Sequence, residues 1–313
     1  MEQNRYLPKN KKYRRMLKSG APPSGSLYRD AWQALKKDRA AMIGLVVIVA
    51  LAALSILLPM ILGLDPEAIE SRRVVDGKNL FPPFAPDLAN IMGTDQLGRD
   101  IFTRVLYGIR VSLLVGVVAR GLTMIVGIVL GVAAAYFGGW VDMVIMRLTD
   151  IFLAFPVMLL AMVITLVMGP SLFTVCLALV VVGWPDVTRL LRGQALALKE
   201  KEYVKASRAL GASHFWIITR QLLPGCLSLI IVSFSMGIPG AIMYESGLSF
   251  FGFGIRPPTP SLGNMIADAR GYMTICPWYI LYPGLMLIII VVAFNILGDG
   301  LNDALDPYAR KRK

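Results

Sequence analysis

The sequence predicts an all-α membrane protein with six transmembrane helices. Three observations carry that expectation. The chain of 313 residues is 56% hydrophobic and only 17% charged, too apolar for a soluble domain. Six stretches reach the roughly 20 apolar residues that a spanning helix needs. The Lys and Arg residues gather on what would be one side of the membrane. Backbone groups in lipid must be satisfied internally, and period-two alternation is absent, so helices are expected rather than a barrel.

The elements follow in order. Residues 1–40 form a basic segment with eleven Lys or Arg, among them Lys11, Lys12, Arg14 and Arg15. Beside a span, such a run marks the cytoplasmic side. Residues 41–62 are read as an uncleaved first span, because the stretch is too long for a signal-peptide core and ends "SILLPMIL" without a small-residue cleavage pattern. Residues 63–108 are expected outside. Their Pro-rich part is extended or turning, and Asp100 to Arg110 can form an interfacial helix with Ile101, Val105 and Leu106 on one side and Arg104 on the other.

A five-helix core follows over residues 109–298, with spans at 109–135, 142–168, 171–192, 226–247 and 278–297. Gly127 and Gly131 make a GxxxG pair suited to close helix packing. Arg147 and Asp150 are spaced for a local ion pair. The loop 250–277, with Gly and Pro every few residues, is too broken to span and is expected partly to re-enter or to pack on the outer face. The tail, 299–313, ends "YARKRK" and is expected inside, so that both termini are cytoplasmic. The formal charge of +12 is therefore a topology signal, not a nucleic-acid-binding surface. No close-spaced Cys or His pair points to a metal site, and the single His214 can form neither a proton relay nor a triad.

The loop 193–225 is unusual for a membrane protein because it is charged, amphipathic and long. Over 199–210, Tyr203, Ala206 and Leu210 form an apolar stripe, and Lys201, Lys205 and Arg208 form a basic one. Gly211 is placed to end that helix, Ser213 to cap a second, and Pro224 to terminate it. The result is an elbow that either lies on lipid or docks a soluble partner and carries force into spans four and five. Arg120 lies well inside the second span and Glu245 near the outer end of the fifth. Each must face protein or water. Arg120 can line a pore or be satisfied by backbone carbonyls or a neighbouring subunit. Glu245 can serve as a gate, as a scaffold or in substrate selection.

The elbow resembles the "EAA" loop of binding-protein-dependent ABC importer permeases, E-A-A-x3-G-x9-I-x-L-P. Lys205, Ala206 and Ser207 stand at the first three positions, Gly211 at the glycine, Gln221 at the isoleucine, and Leu223 and Pro224 at the end. "MGTDQLGRDIFTRVLYGIRVSLLVG", "YVKASRALGAS", "ESGLSFFGFGIRPPTPSLGNMI" and "FNILGDGLNDALDPYARK" are similar to the dipeptide and oligopeptide branch, in the expected order. That branch usually has His where this chain has Gln221 and Asn where it has Gly225.

The resemblance covers roughly residues 30–310. It implies a type I ABC importer permease fold in a bacterial or archaeal inner membrane. It also implies a non-catalytic subunit that forms half of a peptide pathway. The implied partners are a homologous second permease, two cytoplasmic ATPases that use ATP and Mg, an extracytoplasmic solute-binding protein and membrane lipid. The coupling residues it implies are Glu202, Tyr203, Lys205, Ala206, Arg208, Gly211, Leu223 and Pro224. The chain itself has no GxxxxGK[ST] phosphate loop, and no cofactor is expected on it. Alternatives are an ABC permease for nickel complexes or other small solutes, an ion-coupled secondary transporter, and a scaffold without transport. Few ionisable residues near mid-span and no visible internal repeat speak against the secondary transporter.

Overall fold

A computed structural model describes residues 27–75 and 78–305. Most of the basic N-terminal run and the "YARKRK" tail lie outside the described residues. A short helix α1 (Leu27–Lys37) precedes the first span, α2 (Arg39–Leu62). Asp38 caps α2, its Oδ1 accepting from the N–H of Ala40 at 2.9 Å and of Ala41 at 3.1 Å. Gly63 closes it in the left-handed region, φ 59°. Leu35 of α1 is buried with Ala41 and Ala304, tying this helix to the last span.

A two-stranded antiparallel hairpin, β1 (Arg73–Val75) and β2 (Lys78–Leu80), follows in the segment that the apolar pattern left irregular. The long helix α3 (Ile101–Phe137) then runs unbroken. At 1.5 Å per residue it is about 55 Å long, well beyond a hydrocarbon core of about 30 Å. The interfacial helix expected at 100–110 is therefore the first three turns of the span itself. Arg104 is not on a solvated face but 1% exposed, as enclosed as Ile101 and Val105.

The third expected span, 142–168, is two helices, α4 (Gly139–Ala154) and α5 (Val157–Met168), bent by 89°. The cause is local. The residue before a proline is pushed out of the helical region, and Phe155 before Pro156 is extended at φ −89°, ψ 140°. Among the described residues five helices are long and apolar enough to cross a membrane; a sixth crossing requires the bent pair to act as one span. The others are α6 (Leu172–Lys199), a continuous helical stretch that ends as α9 (Leu223–Phe250), and α11 (Pro277–Leu305). Between α9 and α11 lies α10 (Leu262–Ala269), opened by a capping box of Ser261 and Asn264 and packed on α9 and α11, as expected for a non-spanning loop.

The most extensive helix pair is α3 with α6. Gly127 and Gly131 make it possible. A Cβ at Gly127 would lie 2.3 Å from Val187 Cγ1, and one at Gly131 2.7 Å from the Thr188 carbonyl oxygen. Around this seam the apolar core divides. One cluster joins Ile101, Val105 and Ile109 to Ile242, Leu262, Tyr279 and Ile290 at the hairpin end. Another joins Val132, Tyr136, Leu191 and Ala195 to Val204, Ile217 and Leu222 at the elbow end.

At the hairpin end a buried carboxylate organises the chain. Asp95, fully enclosed, receives Arg99 Nε at 2.6 Å and lies 3.5 Å from Arg104 Nε. Its Oδ1 also accepts from the Leu97 and Arg99 N–H groups. Asp95→Ala leaves two guanidinium groups buried without their carboxylate. A loss of about 3–5 kcal/mol is expected, read as a lower thermal midpoint in detergent and faster proteolysis within residues 64–100.

Candidate functional site: the elbow and the charges within the spans

The elbow starts where α6 ends. Lys201 is extended (φ −66°, ψ 141°), so the helix expected from residue 199 begins at Glu202 as α7 (Glu202–Ala209). Lys205 Nζ reaches Glu200 Oε2 at 2.7 Å across this break. That contact holds the Glu200 carboxyl below the usual carboxylate range, although both groups are solvent-exposed. Gly211 has φ +84°, a conformation that L side chains rarely adopt. The expected turn is therefore present. Ser213 Oγ accepts from Trp216 N–H at 3.3 Å and caps α8 (His214–Ile217), also as expected.

Pro224 behaves differently from expectation. The helix does not stop there but continues into α9 through a π-helical turn over Ile218–Leu222. Proline lacks an N–H and its ring crowds the carbonyl four residues back. The wider turn takes up that misfit: Leu223 N–H bonds to the Ile218 carbonyl, five residues back. The second arm of the elbow is thus continuous with a membrane-crossing helix.

α7 has one buried anchor. Val204, 2% exposed, sits in the cluster with Tyr136, Leu191, Ala195, Ile217 and Leu222. Its neighbours Glu202, Tyr203, Lys205, Ala206 and Arg208 are exposed together with Gly211. The stripe Tyr203, Ala206, Leu210 therefore faces away from the protein, with Leu210 88% exposed. Phe215 and Trp216 add exposed aromatic surface outside the Tyr203, Ala206 and Leu210 stripe. The signal available was "HFW" directly after a capping serine. Leu223 and Pro224 lie beyond the π turn, the first half-buried and the second exposed.

Two positions that depart from the EAA pattern meet. Gln221 Nε2 donates to Ser207 Oγ at 2.6 Å, and Ser207 Oγ donates to the Tyr203 carbonyl at 2.9 Å. His214 Nδ1 lies 2.7 Å from the Tyr136 hydroxyl, a packing role that links α8 to α3. Gly225 lets α9 approach α6, since a Cβ there would lie 2.7 Å from Leu198 Cδ1.

The charges within the spans differ in how they are satisfied. Glu245 is 0% exposed, and Ser249, Ser246 and Ser112 hydroxyls donate to it at 2.8, 3.4 and 3.5 Å. Arg120 donates through Nη2 to the Ser233 carbonyl at 2.7 Å and to Ser233 Oγ at 2.9 Å. It also lines a cavity of about 190 Å³. Asp150 pairs with Arg189 of α6 rather than with the expected Arg147. α4 is therefore tied to α6, a bond repeated by Asp142 with Arg192 Nη2 at 2.6 Å.

Comparison with known proteins agrees with this architecture. A family described as "Binding-protein-dependent transport system inner membrane component" matches residues 127–311. The "N-terminal TM domain of oligopeptide transport permease C" matches residues 26–83. The dipeptide transport system permease protein DppC of Bacillus subtilis (strain 168) is 41% identical over 292 residues, covering 92% of this chain and 88% of that protein. The oligopeptide transport system permease protein OppC of the same organism is 36% identical over 287 residues, covering 91% of each. A chain of the MetNI methionine ABC transporter, solved in inward-facing conformations, aligns with TM-score 0.55 at 19% identity over 66% of this chain and 98% of that one. That last likeness concerns the fold. This chain belongs to the binding-protein-dependent inner-membrane permeases of ABC transporters, in the branch of the DppC- and OppC-type subunits.

Proposed function

We propose that the chain forms half of the translocation pathway of a di- or oligopeptide importer and takes its motion from partner ATPases through the elbow. The carrying observation is the geometry of α7. One buried side chain, Val204, fixes it to the bundle while Tyr203, Leu210, Phe215 and Trp216 stay exposed beside Lys205 and Arg208. Exposed apolar groups rimmed by charge suit a docking surface for a protein. The continuous path through the π turn into α9 suits a rigid lever. The relatives' names supply the substrate class.

In this reading two cytoplasmic ATPases bind below, a homologous permease completes the pathway, and an extracytoplasmic binding protein delivers peptide from above. Both termini are cytoplasmic. Single cysteines in a cysteine-free background test the sidedness at exposed positions. Impermeant reagent added to intact cells is expected to label Leu88→Cys and Thr259→Cys and to spare Lys201→Cys. Labelling at position 201 inverts the topology.

Gly211→Val forces a β-branched residue into the left-handed region, at about 1–2 kcal/mol or more. In the assembled importer, peptide uptake and binding-protein-stimulated ATP hydrolysis are expected to fall together, with membrane insertion retained. Leu210→Ala with Phe215→Ala leaves the turn intact and is expected to weaken ATPase docking by about 2 kcal/mol, roughly thirtyfold, in a binding titration. Normal uptake by both variants at normal expression removes the elbow from the coupling path.

The Ser207–Gln221 contact tests rigidity separately. Ser207→Ala strips the Gln221 amide of its partner at a cost of about 1–3 kcal/mol. Adding Gln221→Ile is expected to restore most of that loss, measured as the thermal midpoint and as stimulated phosphate release.

A further inference from the structure

The cavity beside Arg120 holds a second charge that the spacing of the sequence did not single out. Asp186 lies midway along α6, about 20 Å from either end at 1.5 Å per residue. Arg120 lies midway along α3. Both line the same cavity of about 190 Å³, with Thr123, Gly183, Gly237 and Tyr244. A carboxylate inside a membrane-crossing helix is costly if it faces lipid, so it must face protein or water. Among the described residues the Asp186 side chain makes no hydrogen bond or ion pair, and it is exposed. The two charges do not close on each other into a salt bridge.

Arg120 is held in place but not used up. Ser233 takes its Nε and Nη2, leaving Nη1 without a hydrogen bond. Gly237 provides the room: a Cβ there would lie 1.9 Å from Arg120 Nε. Gly183 opens the opposite wall, where a Cβ would stand 3.1 Å from Thr123 Cγ2. The result is a small chamber midway along α3 and α6, with a guanidinium on one helix, a carboxylate on the other and the side chains of Thr123 and Tyr244 in its wall.

We propose that this chamber is a transit subsite for the charged termini of a peptide, with Arg120 receiving the carboxylate and Asp186 the ammonium group. It rests on the peptide-permease reading above. A zwitterion is the ligand that both charges can meet at once, and each end replaces water lost on leaving the binding protein. Ser233 prevents Arg120 from collapsing onto Asp186, which keeps the pair open when the chamber is empty. A subsite of this kind needs only moderate affinity, because the peptide must also leave.

The test uses the whole importer in proteoliposomes, with trialanine as the probe. Uptake and binding-protein-stimulated phosphate release are measured in the same vesicles. Arg120→Gln and Asp186→Asn are each expected to lower uptake roughly tenfold, the scale of one charge-assisted hydrogen bond. Stimulated phosphate release is expected to stay within about twofold of wild type, so that fewer peptides cross per ATP. Arg120→Lys, which keeps the charge, is expected to recover part of the uptake. Unchanged uptake in both neutral variants overturns the subsite. So does a parallel loss of uptake and phosphate release, which places the pair in the framework of the bundle. Absence of trialanine uptake by the wild type together with intact stimulated hydrolysis overturns the peptide reading itself, and the subsite with it.

Discussion

The close approach of α3 and α6 governs the rest of the molecule. Gly127 and Gly131 allow backbone-level contact with Val187 and Thr188. In a membrane, helices gain little from burying apolar surface, since lipid is equally apolar; tight van der Waals contact must do the work. One seam then sets two sites. Toward mid-span it holds Arg120 and Asp186 around a common cavity. Toward the elbow it places Tyr136, Leu191 and Ala195 as the seat for Val204. A larger residue at either glycine would shift both.

The elbow is continuous with a membrane-crossing helix. A proline normally interrupts the i to i−4 ladder. Here the π turn over Ile218–Leu222 absorbs Pro224 without ending the helix, so α8 is continuous with α9. Ser207 and Gln221 brace the two arms, and Gly211 sets the angle between them. Each of these contacts ties one arm of the elbow to the other or to the turn between them. The ion pairs from α4 to α6 add a further brace on the same side of the bundle.

The charges within the spans fall into three conditions. Glu245 is enclosed and surrounded by serine hydroxyls, which supports a scaffold role and leaves it no water-facing surface. Arg120 is half engaged, by Ser233. The Asp186 side chain has no hydrogen bond or ion pair among the described residues. This ordering is informative, because a charge inside a membrane-crossing helix that makes no hydrogen bond must face water, a ligand or another protein chain. The buried Asp95, Arg99 and Arg104 at the hairpin end belong with Glu245: compensated within the fold and structural.

Much of the architecture was legible in the amino-acid sequence, for a physical reason. Lipid exposure imposes about 20 apolar residues per crossing, and the motifs at residues 92–116, 203–213 and 245–266 carry the family. Caps at Ser213 and Gly211 were legible as well, because they depend on one residue and its neighbours. What needed the tertiary structure was every feature set by contact between distant segments. Pro156 follows an extended Phe155 that ends a helix, whereas Pro224 follows a π turn and the helix runs on. Arg104 looked solvated until Asp95 folded over it, and Asp150 found Arg189 rather than the nearer Arg147. Asp186, one acid in an apolar helix, gained meaning only when α3 and α6 brought it to the same cavity as Arg120. Hydropathy reports what one helix shows to its surroundings; which charges share a cavity is decided by how the helices pack.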